Sequence, residues 1–168
     1  LVAQSPRLAP HFHLPLQHGA DEILDAMRRP YSVAFYRRLV DRIREQIPAA
    51  AIGSDAIVGF PGESASHASQ LVALLDALPL THVHVFPYSD RPGTEAAGMR
   101  NKVHGSDIRT RAAEVRAVGH HLTMRFHRSQ LGQVRRALTV DDGSRIVTDN
   151  YLKMEVPAGL TRNEWVQV

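Results

Sequence analysis

Apolar residues recur through the first two thirds of the chain with two periods, one of two residues and one of three to four. Phe12, Leu14 and Leu16 alternate with His11, His13 and Gln17, which predicts a strand over 11–17, with Pro15 marking its end or a sheet edge. His18, Gly19 and Ala20 follow as a turn. Ile23, Leu24 and Met27 then fall at helical spacing from Asp21, with Arg28 and Arg29 in the last turn, where cations suit the helix dipole, and Pro30 as the stop. A second helix is expected from Ser32, its cap, to Gln46, burying Phe35, Tyr36, Leu39, Val40, Ile43 and Ile47. Its arginines Arg37, Arg38, Arg42 and Arg44 lie on the other side as a solvated face. The next strand runs through Ile52 and Ile57. Its apolar run Ala56–Val58 stops at Gly59, Phe60, Pro61 and Gly62, as a buried strand does when its carboxyl end turns sharply. Ser64 caps a helix carrying Leu71, Val72, Leu74, Leu75 and Leu78 that ends by Pro79. His82–Tyr88 alternates again, with Val83, Val85 and Pro87 on one side.

Strand, helix, strand, helix, strand in that order predicts right-handed βαβ units and a parallel sheet, hence an α/β fold. Ligands in such sheets sit at the carboxyl ends of strands, so the site should be shared by Gln17–His18, Asp55–Glu63 and Tyr88–Thr94. A long helix is expected from about Ser106 to Leu131, interrupted by Gly119. Its Arg109, Arg111, Arg116, Arg125 and Arg128, followed by Arg135 and Arg136, suit either a solvated face or contact with phosphates. From Gly132 the pattern changes to short β-like runs, 133–140, 145–148, 151–156 and 164–168, separated by Asp142-Gly143, Asp149-Asn150 and Ala158-Gly159. That predicts a small antiparallel barrel or curled sheet, and a domain boundary near Ser129–Gln133 that divides the chain into 1–131 and 132–168.

Composition narrows the class further. At 168 residues there is room for one ordinary domain, or part of one plus a small module, and 43% hydrophobic with 22% charged residues excludes wholesale disorder. The net charge of +3 permits a nucleic-acid partner. No run reaches the roughly 20 apolar residues needed to span a bilayer, and LVAQSPRLAP lacks the regions of a signal peptide, so a cytoplasmic location is the default expectation. The absence of any cysteine removes disulfides, thiolate nucleophiles and thiolate metal ligands from these residues.

Ten histidines invite a metal site, yet His11/His13, His82/His84 and His120/His121 stand two or one apart rather than a helical four. Alternate strand positions can face the same way, which leaves a two-histidine site without an evident third ligand. Asp55 and Glu63 suit either a catalytic carboxylate pair or, more in keeping with a strand Asp and a helix-start Glu, a hydrogen-bonded structural pair. The Gly59–Gly62 turn can bring backbone amides close to an anionic ligand, as in a βαβ enzyme for a phosphorylated small molecule.

The stretches HLPLQHG (13–19), MRRPYSVAFY (27–36), DAIVGFPGE (55–63) and HVFPYSDRPGTEA (84–96) together resemble, in order and spacing, the radical S-adenosylmethionine methylthiotransferases, over almost the whole chain from about His11. HVFPYSDRPGT and TDNYLKMEV (148–156) look most like the branch acting on N6-threonylcarbamoyladenosine at position 37 of tRNA, next to the anticodon, where a methylthio group is placed on C2. The isopentenyladenosine branch is the neighbouring alternative. The resemblance implies the C-terminal half of a partial (βα)6 radical SAM barrel, followed from about Gln133 by a TRAM-like, OB-like β-barrel that binds RNA. It places Gln17 or His18 near the ribose of S-adenosylmethionine, although the family usually has serine at His18. Val58 and its neighbours would stand near the adenine and Phe86, Pro87 and Tyr88 near its edge through backbone groups, with Asp55 and Gly59 also among the cofactor-binding residues. In the small module it implies RNA contact by Arg135, Arg136, Asp149, Asn150 and Tyr151, the tyrosine as a base-stacking group or, alternatively, a core residue. The family's 4Fe-4S clusters need a CxxxCxxC motif and three further cysteines, all absent here, so the chain cannot ligate iron through thiolates. The expectation is therefore a C-terminal piece of a longer enzyme or a truncated inactive product, with catalytic residues unassigned and no metal ligands. The alternative is an RNA-binding module for the anticodon loop.

Overall fold

The computed structural model describes residues 2–5, 7–157 and 159–168. Three strands, β1 (His11–His13), β2 (Ala51–Val58) and β3 (His82–Pro87), form a parallel sheet with β2 in the centre. Helices α1 (Asp21–Ala26) and α2 (Val33–Gln46) connect β1 to β2, and α3 (Ala65–Ala77) connects β2 to β3. A short α4 (Glu95–Gly98) and the long α5 (Gly105–Gln130) follow.

The expected strand over 11–17 is split. Pro15 has no N–H for the ladder. After Leu14, whose amide still donates to Gly53 O at 2.9 Å, the chain rejoins the sheet at Gln17, which takes a left-handed φ of 71° and bridges to Ala56. Helix α1 is shorter than the pattern suggested, because Arg28 at φ 56° ends it. Arg28 and Arg29 thus lie beyond the helix, and Arg28 pairs instead with Glu95 at 2.7 Å. Ser32 caps α2 as expected, its Oγ accepting from the Phe35 amide at 3.2 Å. Phe35 itself is 51% exposed, because Tyr36 and Val40 define the inward stripe. The Tyr36 hydroxyl donates to Leu14 O at 2.7 Å, 3.0 Å from Ser54 Oγ, and burial pushes its pKa up to about 12. Ser64 caps α3 reciprocally with His67.

Leu71, Leu74, Leu75 and Leu78 of α3 and its end join Ala112, Val115 and Leu122 of α5 and Ile52, Ala56 and Val58 of β2 in one core. A side chain of this size stabilises by about 1.5–3 kcal/mol when fully buried. Helix α5 is continuous through Gly119, contrary to the expected interruption. A Cβ there would stand 2.8 Å from Val83 Cγ1, so glycine is what lets helix and β3 approach.

The second part is a four-stranded antiparallel sheet of β4 (Arg136–Val140), β5 (Arg145–Thr148), β6 (Lys153–Glu155) and β7 (Trp165–Gln167), in the order β6-β5-β4-β7. It is the curled-sheet form of the expectation, with β6 and β7 as its two edges. Gly143 at φ 90° makes the β4–β5 turn, where a Cβ would collide with Leu160 O. Ala137, Thr139, Ile146 and Thr148 form its small interior. Asn150 ties it to the α/β part, its amide donating to Ala49 O at 3.0 Å and Gln130 Oε1 at 2.8 Å while accepting from the Thr148 hydroxyl at 2.7 Å.

Candidate functional site at the carboxyl ends of the parallel strands

The helices cover one face of the parallel sheet. Strand alternation sends Asp55 and Ile57 to the other face, while Ala56 and Val58 enter the core. At the carboxyl end of that open face lies a cavity of about 630 Å³. Five of the expected residues, Gln17, Asp55, Phe86, Pro87 and Tyr88, line it. Gln17 is held there by its backbone, which donates to Asp55 O and accepts from Ile57 N at 2.9 and 2.8 Å. Phe60 adds an edge-on contact to Tyr88, with ring centroids 5.4 Å apart.

Three expected residues are elsewhere. Val58 is fully buried against the helices, and its neighbour Ile57 lines the cavity. His18 is fully buried beneath the turn. Its Nδ1 accepts from the Ala20 amide at 3.1 Å, which leaves the ring proton on Nε2, 3.6 Å from Glu63 Oε2. Gly59 shapes the turn at φ 80°, where a Cβ would overlap Ile108.

The turn's amides do not face a ligand. Glu63 Oε2 accepts from the Gly59 and Phe60 amides at 2.5 and 3.2 Å, and the Gly62 amide donates to Asn101 O. Arg111 of α5 completes the arrangement at 2.9 Å from Glu63 Oε1. Burial pushes the Glu63 pKa up, but the His18, Gly59 and Arg111 contacts outweigh it and hold the carboxyl below its ordinary value. This corrects the anion-cradling expectation for the turn, because an internal carboxylate already occupies its donors. Asp55 and Glu63 are likewise no pair: Asp55 accepts from or pairs with His13 at 3.0 Å instead.

Below the cavity, parallel register gathers the histidines on the open face. His82 lies over Gly53, with ring centroids 5.4 Å from His84 and 6.2 Å from His11, and His13 stands 5.9 Å from His84. Burial, then the neighbouring His84, His11 and His13, lowers the His82 pKa to about 4. Among the described residues no group of three or more acidic or histidine side chains is arranged to hold a metal ion.

In the antiparallel sheet, Arg136 stacks over Trp165 at 3.9 Å, and Trp165 is 56% exposed. Tyr151 is an exposed residue, not a core one; one face of its ring stacks on His11 with centroids 4.4 Å apart, and Lys153 is 5.4 Å from its centroid. Arg135 turns inward to Gln130 and Asp149 at 3.1 and 3.4 Å. Asn150 is fully buried, its amide engaged with the three partners of the junction, so it offers nothing to an external ligand. Sequence reasoning gave Phe60 and Trp165 no individual role and named Arg111 only within the basic face of the long helix. Of these, the lone tryptophan in a short β run beside an arginine-bearing one was the available signal.

A parallel βαβ sheet with a carboxyl-end cavity, joined to a small antiparallel sheet with exposed aromatic and basic side chains, defines an α/β protein with an appended β module. No family model matches the chain. It is 34% identical over 155 residues to the threonylcarbamoyladenosine tRNA methylthiotransferase MtaB of Aquifex aeolicus, covering 92% of this chain and 38% of the relative. It is 37% identical over 139 residues to the tRNA-2-methylthio-N(6)-dimethylallyladenosine synthase 1 of Mycobacterium marinum, covering 83% and 26%. With the corresponding synthase of Thermobifida fusca it shares 45% identity over 102 residues, covering 61% and 21%. The homologues of the chain are thus tRNA methylthiotransferases of the threonylcarbamoyladenosine and dimethylallyladenosine types. The chain spans between 21% and 38% of the length of these relatives.

Proposed function

We propose that the chain is part of a tRNA methylthiotransferase, in which the carboxyl-end cavity receives S-adenosylmethionine and the antiparallel sheet meets tRNA beside the anticodon. The cavity carries this reading. Ile57, Phe86 and Pro87 offer apolar surface for a purine, and Gln17 and Asp55 supply polar groups for ribose or amine, which fits the cofactor's chemistry. When bound, S-adenosylmethionine supplies a methyl group and a source of radical chemistry. The chain's own residues bind and orient it, with Glu63 and Arg111 holding the turn that bounds the cavity.

Iron–sulfur clusters do not fit the residues present. With no cysteine there is no thiolate to ligate them, so the chain alone lacks the means to cleave the cofactor reductively. The parallel part, 1–131, acts as the last half of a partial barrel, and 132–168 as a TRAM-like RNA-binding module. The substrate is N6-threonylcarbamoyladenosine at position 37, supported by relatives of that name. Relatives named for dimethylallyladenosine favour the isopentenyl-type base as the second substrate reading. A tRNA-modifying role fits a cytoplasmic location, and no described helix is long and apolar enough to cross a membrane.

The test is calorimetry with S-adenosylmethionine, combined with binding of anticodon stem-loops carrying either modified adenosine. Saturable cofactor binding lost in Ile57→Arg, and stem-loop binding that weakens with salt and in Trp165→Ala, are expected. Cofactor binding unaffected by Ile57→Arg, or none at all, overturns the cavity assignment. Equal affinity for a stem-loop and an unrelated duplex overturns the tRNA assignment.

A further inference from the structure

At the opposite, amino-terminal end of the parallel sheet lies a second cavity, of about 290 Å³, bounded by the segment before β2, the α3–β3 connection and the end of α5. Two guanidinium groups, Arg44 of α2 and Arg125 of α5, line it together with Thr81 and Ser129. Neither arginine makes a salt bridge among the described residues. Their hydrogen bonds go to carbonyl oxygens alone: Arg44 to Pro48, Ala50 and Pro79 at 2.6–2.8 Å, and Arg125 to Asp76 and Leu78 at 3.4 and 2.8 Å. A guanidinium has five N–H donors. Arg44 uses three and Arg125 two, so five of the ten have no acceptor among the described residues.

Two like charges that share a concavity repel each other, and an anion between them relieves that repulsion. Burial, and after it the charge of Arg125, lowers the Arg44 pKa. The carboxylate of Asp76, on the same turn of α3 whose carbonyl Arg125 caps, points to His121 at 3.5 Å and does not neutralise the pair. Carbonyl capping explains where the two side chains are held. Both side chains nevertheless line a mixed cavity, with Pro48, Leu78, Leu80 and Phe126 beside Thr81 and Ser129, that has room for a tetrahedral oxyanion and accompanying water.

We infer that the cavity between Arg44 and Arg125 is a binding site for a phosphate group. Planar guanidinium forks match phosphate oxygens two at a time, and two converging forks can grip one group from two sides. The site is separate from the carboxyl-end cavity and does not depend on what occupies that one. It borders the junction with the β module, since Ala49 and Gln130, the partners of Asn150, are neighbours of Pro48 and Ser129 in sequence. The phosphate can therefore belong either to an RNA backbone crossing that junction or to a free small molecule.

The experiment is a titration of the 168-residue chain with inorganic phosphate at constant ionic strength, chloride replacing phosphate, read by thermal unfolding and by ³¹P line broadening. Saturable stabilisation by phosphate is expected, with affinity about tenfold or more weaker in Arg125→Gln, as loss of a charge-assisted hydrogen-bonding group implies. Arg44→Gln should have the same effect. If loss of its capping bonds prevents folding, Arg125→Gln, which removes only two such bonds from an exposed side chain, carries the test alone. Absence of a saturable response in the wild-type chain, or an unchanged response in Arg125→Gln, overturns the site. An anticodon stem-loop provides the second arm. Competition between stem-loop and phosphate, with both weakened in Arg125→Gln, supports the site and assigns it to an RNA backbone. Phosphate binding lost in the variant while stem-loop binding is retained supports it and assigns it to a free phosphate compound.

Discussion

Lowering the pH should loosen the parallel sheet through His82. The ring lies against Gly53, where even a Cβ would collide with it, beside His84 and His11 and with Thr81 Oγ1 at 3.1 Å from Nδ1. Burial and the three neighbouring histidines hold its pKa at about 4, against an ordinary 6.5, with only Asp55 acting the other way. The unfolded chain therefore binds a proton at His82 over a range in which the folded chain does not. Stability from this group is present above about pH 6.5 and is lost as the pH falls toward about 4. Between about pH 7 and about pH 5 the loss is about 2 kcal/mol, and over the whole window about 3 kcal/mol at 1.36 kcal/mol per pH unit. The assay is urea unfolding at both pH values for the wild-type chain and His82→Gln. Every other titrating group, including His11, whose pKa is also lowered by burial and by His13, contributes to both proteins. The variant should lose about 2 kcal/mol less than the wild type on acidification. Parallel pH profiles for the two proteins would refute the assignment.

Glu63→Gln leaves Arg111 without its carboxylate in a largely buried contact and should cost about 3 kcal/mol in urea unfolding, with weaker cofactor binding. Gly59→Ala forces a left-handed alanine against Ile108 and should destabilise by about 1–2 kcal/mol from backbone strain alone, more with the overlap; a Tm equal to wild type would count against the turn geometry. Asn150→Ala removes three hydrogen bonds, two of them across the junction, and hydrogen exchange should show faster opening of β5 with little change in β2. Tyr151→Ala should weaken stem-loop binding by about 1–3 kcal/mol if its free face takes a base, and unchanged affinity would remove it from the interface.

Signals contained within a few residues were legible in the sequence. Ser32 and Ser64 cap their helices because a cap is a contact between a side chain and an amide three positions on, and the order of β1, β2 and β3 follows from alternating periods. A cavity does lie at the strand ends where the pattern put the site, and of Val58 and its neighbours it is Ile57 that faces it. Periodicity shows that a strand alternates without showing which set meets the helices. Phe35 fitted the helical stripe by spacing, yet the stripe is centred on Tyr36 and Val40. Gly119 looked like a breaker because its reason for being glycine, the approach of Val83, lies 36 positions away in sequence. The histidine pairs gave no sign of one cluster, since register alone decides whether His82 meets His11. Arg111 reaches Glu63 across 48 positions, a distance no local pattern spans.

The Gly59–Gly62 turn has a thermodynamic consequence. Its amides are already bonded to Glu63 and Asn101, so a molecule entering the cavity need not freeze that backbone. Heat measured on binding there should reflect side-chain contacts and released water, with a heat-capacity change matching the apolar area of Ile57, Phe86 and Pro87 that is covered and no added signature of a loop becoming ordered.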